Sequence, residues 1–159
     1  FQRNTGPNLS PFNAWVVMKG LETLELRAMR QSESAITVGK FIEGRVPKML
    51  HPGLPSHPQH NLAAVQMKAF GPIFSFVLDG GRRQAMDLLN ALELIDISNN
   101  IGDSRSLMTH PASTTHHSVG PDARAEMGVE EGMIRINIGL EDPQDLIEDL
   151  DQALTKVGL

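Results

Sequence analysis

The segment Met133-Ile-Arg-Ile-Asn-Ile138 gives the clearest structural signal in the chain. Its isoleucines alternate with Arg135 and Asn137, so apolar side chains point to one side of an extended backbone and polar ones to the other. This period of two predicts a strand with one buried face and one polar face.

Other segments with the composition of strands come before this one in the chain. They are Val46–Leu50, the apolar run Ile73–Leu78, and Leu94–Ser98, in which Ile95 and Ile97 are expected to face the core. Residues 99–115 have weak periodicity, which predicts an ordered loop with short strand pieces.

Helix signals flank these strands. Ser10-Pro11 combines a capping side chain with proline at the first helical position, and Asp142-Pro143 repeats that combination before the last helix. Gly20 is expected to interrupt the first helix. A long helical stretch follows over residues 21–43, with expected buried positions at Leu24, Ala28, Ala35, Val38 and Ile42. Shorter helices are predicted at about 58–68, 81–92 and 121–128.

These elements together predict an α/β fold in which about four strands carry helices over one face of the sheet. Residues 1–45 are expected to form interdomain helices, and residues 46–159 the α/β domain itself.

Composition excludes several classes of function. The net charge of −5, with no run of Lys or Arg, argues against a nucleic-acid partner or an anionic membrane surface. The longest apolar stretch, residues 73–78, is too short to span a membrane. The absence of cysteine excludes disulfides, thiolate metal sites and a cysteine nucleophile. An ordinary composition without cysteine fits a cytoplasmic protein.

The histidines fall into two groups along the sequence, at positions 51, 57 and 60 and at positions 110, 116 and 117. Most adjoin proline or lie on turns, and no His-Glu-x-x-His pattern is present, so we expect structural histidines and no metal site. Gly-x-Ser-x-Gly, Gly-x-Gly-x-x-Gly and Walker motifs are also missing from the sequence.

Arg135 is the candidate binding residue that the strand pattern itself presents. A guanidinium in the middle of a strand offers a rigid fork for a carboxylate. On periodicity alone, an arginine that pairs with an internal aspartate or faces water is the simpler interpretation.

Several motifs together resemble the Cys/Met-metabolism family of pyridoxal-phosphate (PLP) enzymes. In chain order they are Gly6–Trp15 (GPNLSPFNAW), Met18–Leu24 (MKGLETL), Pro52–His60 (PGLPSHPQH), Asn100–Leu107 (NIGDSRSL), His110–His116 (HPASTTH) and Ile134–Asp142 (IRINIGLED). Each motif is weak alone, but the ordered set covers nearly the whole chain.

The resemblance implies the C-terminal small domain of a fold type I PLP enzyme, with a mostly antiparallel sheet. In that family the lysine that forms the Schiff base with PLP lies before the Leu-Ser-Pro-Phe segment, and so it is expected upstream of Phe1. No catalytic residue and no bound PLP are therefore expected in this chain, and the chain alone is expected to be inactive.

The resemblance also implies substrate-binding residues. Arg135 matches the arginine that binds the α-carboxylate of the amino-acid substrate, which reverses the simpler interpretation. Asn100 and Ile101 match the loop whose backbone meets the same carboxylate, and the Asn-Ile-Gly-Asp sequence resembles the sulfhydrylase branch. Thr115 matches a threonine near the substrate, or else its hydroxyl stabilises the loop.

For the parent enzyme the resemblance implies γ-replacement on an O-acylhomoserine, succinyl or acetyl, with sulfide as the nucleophile, and a homotetramer. A methionine γ-lyase or a cystathionine γ-synthase is the alternative within the family. Outside it, a non-enzymatic α/β ligand-binding module and an oligomer-forming interaction module remain open.

Overall fold

The computed structural model describes residue 6 and residues 8–159. Residues 1–5 and Pro7 fall in the segment 1–45 expected to form interdomain helices, and Pro7 belongs to the first family motif. These positions lie outside the described residues.

Two helices precede the sheet. α1 (Pro11–Glu22) begins where the sequence predicts, because the Oγ of Ser10 accepts a hydrogen bond from the N–H of Asn13 at 3.1 Å. α2 (Leu24–Glu43) follows almost directly. Gly20 lies inside α1, so the interruption expected there is wrong. A single glycine weakens a helix without ending it.

One five-stranded sheet follows, in the order β1-β2-β5-β4-β3. The strands β1 (Lys48–Leu50), β2 (Ile73–Val77), β5 (Met133–Asn137) and β4 (Leu107–Thr109) are each antiparallel to the next. The edge strand β3 (Asp96–Ile97) runs parallel to β4. The mostly antiparallel sheet that the family resemblance implies is confirmed, and β4 makes five strands where about four were predicted.

The additional strand, β4, lies within residues 99–115, where weak periodicity predicted only short strand pieces. All of its residues are buried, so it has no alternation to reveal it. Next to it, Ile95 is 4% exposed as expected, but Ile97 is 59% exposed. The core position predicted for Ile97 is wrong because it lies in the edge strand of the sheet.

Helices cover one face of the sheet: α2, α4 (Gly81–Ala91) and α6 (Pro143–Lys156). Their apolar faces pack on the strand residues Phe74, Phe76, Met108, Ile134 and Ile136. Each fully buried side chain of this size contributes about 1.5–3 kcal/mol, so this single interface supplies most of the stabilising burial.

Only the second half of α2 joins that interface. Ala35, Val38 and Ile42 are fully buried as predicted. Leu24 is 50% exposed and Ala28 is also exposed, so their predicted burial is wrong. The buried positions of α2 begin only at Gln31.

The remaining helices are short. α3 (His60–Gln66) and α5 (Pro121–Glu126) are shorter than the sequence predicted, and turns of 3₁₀ helix cover Pro111–Ser113 and His117–Val119. The end of α2 packs into the same core as the sheet. The domain boundary at residue 45 stays a prediction.

Candidate functional site

Arg135 lies at the centre of β5, on the face of the sheet opposite the helices. Its neighbours Ile134 and Ile136 belong to the core, so strand alternation places Arg135 on the other face. Directly across from it stand Ser75 of β2 and Thr109 of β4. The side chain of Arg135 is therefore half-buried on a polar strip across the three central strands.

The guanidinium of Arg135 keeps most of its hydrogen-bonding capacity. Its Nη2 donates to the carbonyl oxygen of Asn99 at 2.8 Å. Within the described part of the chain, Arg135 takes part in no ion pair. Since a guanidinium carries five N–H donors, several remain for a ligand carboxylate. A pairing with an internal aspartate, the simpler interpretation from the strand pattern, is not what the structure shows.

The loop of residues 99–106 lies against the end of β5 that follows Arg135. The Oδ1 of Asn137 accepts a hydrogen bond from the N–H of Gly102 at 3.2 Å. Gly102 has a φ of +78°, a left-handed conformation that suits glycine. Asn137 is thus a residue of this site that sequence reasoning missed, although its position two residues after Arg135 on the same strand face could have indicated it.

The far end of this loop is fixed by Glu141. Its carboxylate accepts from the N–H and the Oγ of Ser106, at 2.7 and 2.9 Å. The same Oγ accepts from the N–H of Gly139 at 2.8 Å. A Cβ at position 139 would lie 2.5 Å from the carbonyl oxygen of Ser104, so only glycine allows the loop to approach this closely.

Asn100 and Ile101, predicted to meet the substrate carboxylate, are brought next to Arg135 through Asn99. Both side chains are exposed. The N–H of Asn100 donates to Ser98 Oγ at 3.2 Å. No acceptor among the described residues pairs with the N–H of Ile101, which leaves that donor open to a ligand.

Thr115 is not tied to the other predicted residues. It is exposed, and its hydroxyl is hydrogen-bonded to His116 Nδ1 at 2.8 Å. The neighbouring Thr114 is bonded to β4 instead, because its Oγ1 lies 3.0 Å from the Oγ1 of Thr109, the residue opposite Arg135. The role of Thr115 stays a prediction.

The histidines serve structural roles where the structure shows their partners. His110 is 1% exposed, with its Nε2 2.8 Å from the carbonyl oxygen of Glu131. His51 is fully buried, and burial lowers the pKa of its imidazole to about 4. Across residue 6 and residues 8–159, no cluster of His, Asp or Glu is arranged to hold a metal ion.

The described residues do not fit covalent attachment of a cofactor. Lys19 pairs with Glu22 on exposed α1, and Lys48 pairs with Glu130 at 2.6 Å. Lys156 lies 3.5 Å from Glu93, and the remaining lysines are exposed. A lysine that forms a Schiff base needs a neutral amine, which burial would favour. The described residues thus include a strand guanidinium without an ion-pair partner but no lysine of that kind.

One open surface depression lies away from Arg135. It has a volume of about 640 Å³ and is lined by residues of α4 and the end of α6, on the helical side of the sheet. Arg83, Asp87 and Lys156 are among its charged lining residues. Volume alone therefore does not locate the chemistry of this chain.

Among the described helices, none combines the length and the apolar character that crossing a bilayer requires.

Comparisons with known proteins find matches over nearly the whole length of the chain. Residues 1–155 match the model of the family described as Cys/Met metabolism PLP-dependent enzyme. The chain is 48% identical to O-succinylhomoserine sulfhydrylase of Mycobacterium tuberculosis over 96% of its length, and 39% identical to L-methionine gamma-lyase of Treponema denticola over 96%. In each case it spans only 39% of the relative.

A solved structure gives the same result for the fold. The crystal structure of cystathionine gamma synthase from Xanthomonas oryzae pv. oryzae, in complex with aminoacrylate and cysteine, superposes with a TM-score of 0.88 at 37% identity. The match covers 93% of this chain and 39% of that one.

Proposed function

We propose, from the premise that this chain belongs to the Cys/Met metabolism family of PLP-dependent enzymes, that it forms the C-terminal, substrate-side part of a homoserine sulfhydrylase. The parent enzyme would make homocysteine by γ-replacement, with sulfide displacing the acyl group of O-succinylhomoserine or O-acetylhomoserine. O-succinylhomoserine sulfhydrylases at 48% and 42% identity support the succinyl substrate.

The observation that carries the proposal is the state of Arg135. A half-buried guanidinium is held on a rigid strand by the carbonyl of Asn99 and has no ion-pair partner among the described residues. A cation that is partly desolvated and unpaired is costly, and a ligand carboxylate removes that cost. The open N–H of Ile101 adds a second donor on the adjoining loop.

In this arrangement the residues of the chain bind and orient the substrate. Arg135 would take the α-carboxylate in a two-point contact, which fixes the amino acid in rotation as well as position. When bound in the parent enzyme, PLP supplies the electron sink that such substitutions need. The chain itself supplies positioning.

Replacement of Arg135 by lysine tests the proposal in the complete enzyme. Lysine keeps the charge but cannot form the planar two-point contact, so kcat/KM for O-succinylhomoserine should fall about a hundredfold. Arg83→Lys is the matched control, because Arg83 is 92% exposed on α4 and should leave kcat/KM unchanged. An Arg135→Lys enzyme with wild-type kcat/KM would refute the assignment of this site.

The activity itself needs a separate measurement, because relatives named L-methionine gamma-lyase and cystathionine gamma synthase share 39% and 37% identity with this chain. The complete enzyme should consume sulfide and O-succinylhomoserine faster than it cleaves methionine or forms cystathionine. A preference for methionine or for cystathionine would move the proposal to that branch of the family.

The 159-residue chain alone is proposed to be inactive. Absorbance of the purified chain with added PLP tests this, because a cofactor joined to a lysine absorbs differently from free PLP. No absorbance band from lysine-bound cofactor is expected. Its appearance, together with turnover, would instead support a self-sufficient module. The cytoplasmic location and the homotetramer remain predictions.

A further inference from the structure

Gln31 is a buried polar side chain in α2 that the family motifs of the sequence do not include. It is 6% exposed. Its Nε2 donates to the carbonyl oxygen of Asp103 at 2.7 Å and to that of Ile138 at 3.0 Å. Because both partners only accept, the amide nitrogen has to face them.

The two carbonyls belong to the two parts of the Arg135 site. Asp103 lies in the loop of residues 99–106, and Ile138 directly follows β5. The same loop provides the Asn99 carbonyl that holds the guanidinium of Arg135. Gln31 therefore connects α2, the loop and the strand through one nitrogen atom.

Hydrogen bonds have to hold this loop, because residues 99–105 are all exposed and bury little apolar surface. A loop without that burial is ordered only if specific bonds offset its conformational entropy. Gln31 supplies such bonds from the helical side, and Asn137 supplies one through the N–H of Gly102.

We propose that Gln31 is a positioning residue for substrate binding, acting through the loop that places the Asn99 carbonyl against Arg135. The inference rests on the proposed function of Arg135. Gln31 itself touches no substrate. It lies on α2, on the helical side of the sheet, and sets how well the carboxylate site is ordered before the substrate arrives.

Hydrogen exchange on the 159-residue chain is the first test. Gln31→Met keeps the side-chain length and leaves both carbonyls without the donor. The hydrogen-bonded amides of Asn100, Gly102 and Arg105 should therefore exchange about tenfold faster. Gln84→Met is the matched control, since Gln84 Nε2 also donates to a backbone carbonyl, that of Val157, at 3.0 Å. It should leave exchange in residues 99–105 unchanged.

Kinetics of the complete enzyme are the second test. Gln31→Met should raise KM for O-succinylhomoserine about tenfold and change kcat less than twofold, as expected for lost pre-organisation of binding. Gln84→Met should change neither. Faster exchange with an unchanged KM, or unchanged exchange, would overturn the inference.

Two further variants separate the possible failures. If Gln31→Met does not fold, Gln31→Asn keeps the amide but is too short to reach both carbonyls, and it should show the same two effects. Failure of both to fold would make Gln31 a purely structural residue and overturn the inference. An Arg135→Lys enzyme with wild-type kcat/KM would overturn the proposed function, and the inference about Gln31 with it. An impaired Arg135→Lys enzyme beside a Gln31→Met enzyme with normal KM would overturn the inference alone.

Discussion

The two halves of α2 contain the same kinds of apolar residue and lie in opposite environments. In the first half, Leu24 and Leu26 are 50% and 72% exposed. In the second half, Ala35, Val38 and Ile42 are fully buried against the sheet and α6. The helical period is equally present in both halves. Apolar spacing thus identifies which face of a helix is able to pack, while the rest of the fold decides whether anything packs on it.

The first half of α2 continues a surface that begins on α1. Its exposed members also include Phe12 and Trp15, at 69% and 51% exposure. The rings of Phe12 and Trp15 adjoin, with centroids 6.1 Å apart, and clustered exposed apolar side chains mark a region suited to association. The second half, by contrast, should carry the stability of the isolated chain.

The largest expected effect comes from truncating one apolar residue in each half of α2. Ile42→Ala removes a fully buried side chain from the core and should lower the free energy of unfolding by about 2–5 kcal/mol. Leu26→Ala, at 72% exposure, should change it by less than about 0.5 kcal/mol. Urea unfolding followed by circular dichroism measures both, and equal losses would break the distinction between the halves.

A second test concerns a buried charge on α6, which packs against the second half of α2. Asp149 is 6% exposed, and its carboxylate accepts from the backbone N–H groups of residues 93, 94 and 95 at 2.8–3.0 Å. Asp149→Asn removes the charge and one acceptor, so the free energy of unfolding should fall by about 2 kcal/mol.

The control for that substitution lies two residues along α6. Asp151→Asn affects a half-exposed carboxylate that pairs with Arg45 at 2.6 Å, and such pairs contribute about 0–1 kcal/mol. If both variants lose the same stability in urea, the bonds from Asp149 to the backbone of residues 93–95, just before β3, are not what stabilises the fold here.

The sequence predicted the strands with alternation and the capped helices, because those signals are local. Ser10 and Asp142 accept the capping bonds that their positions predicted. For β4 the sequence predicted only an unplaced short strand piece within residues 99–115, because no alternation marks it. The strand pattern placed Arg135 on the polar face of β5, but only the family motifs gave it a binding role. Gln31 remained unrecognised, since its partners lie 72 and 107 residues away along the chain and no local pattern encodes such contacts.

A smaller, pH-dependent effect should come from His51, which packs against the second half of α2. A Cβ at Gly39 would lie 3.2 Å from its ring, and the ring Nε2 is buried without a partner among the described residues. Burial is the main cause that lowers the pKa of His51 from 6.5 to about 4.

The lowered pKa means that the unfolded chain binds a proton more readily than the folded one. The neutral imidazole of His51 therefore contributes its full stability above about pH 6.5, and this contribution is lost as the pH falls toward about 4. The loss in the free energy of unfolding is roughly 1–2 kcal/mol at about pH 5. His51→Asn should flatten this part of the pH profile of unfolding, whereas exposed His117→Asn should keep the wild-type slope. A wild-type slope in His51→Asn would show that other groups cause it.

The smallest effect on folding is expected for a charge placed on the exposed apolar surface of α1, which the first half of α2 continues. Trp15→Glu alters a side chain that is 51% exposed, so the free energy of unfolding should change by less than about 0.5 kcal/mol. Wild-type chain should contain more than one molecule per particle in light scattering, because self-association buries this surface. Trp15→Glu should lower the particle mass, since a carboxylate there would have to be desolvated in the contact. A wild-type chain that stays monomeric at high concentration would show that apolar exposure on α1 and α2 does not drive association by itself.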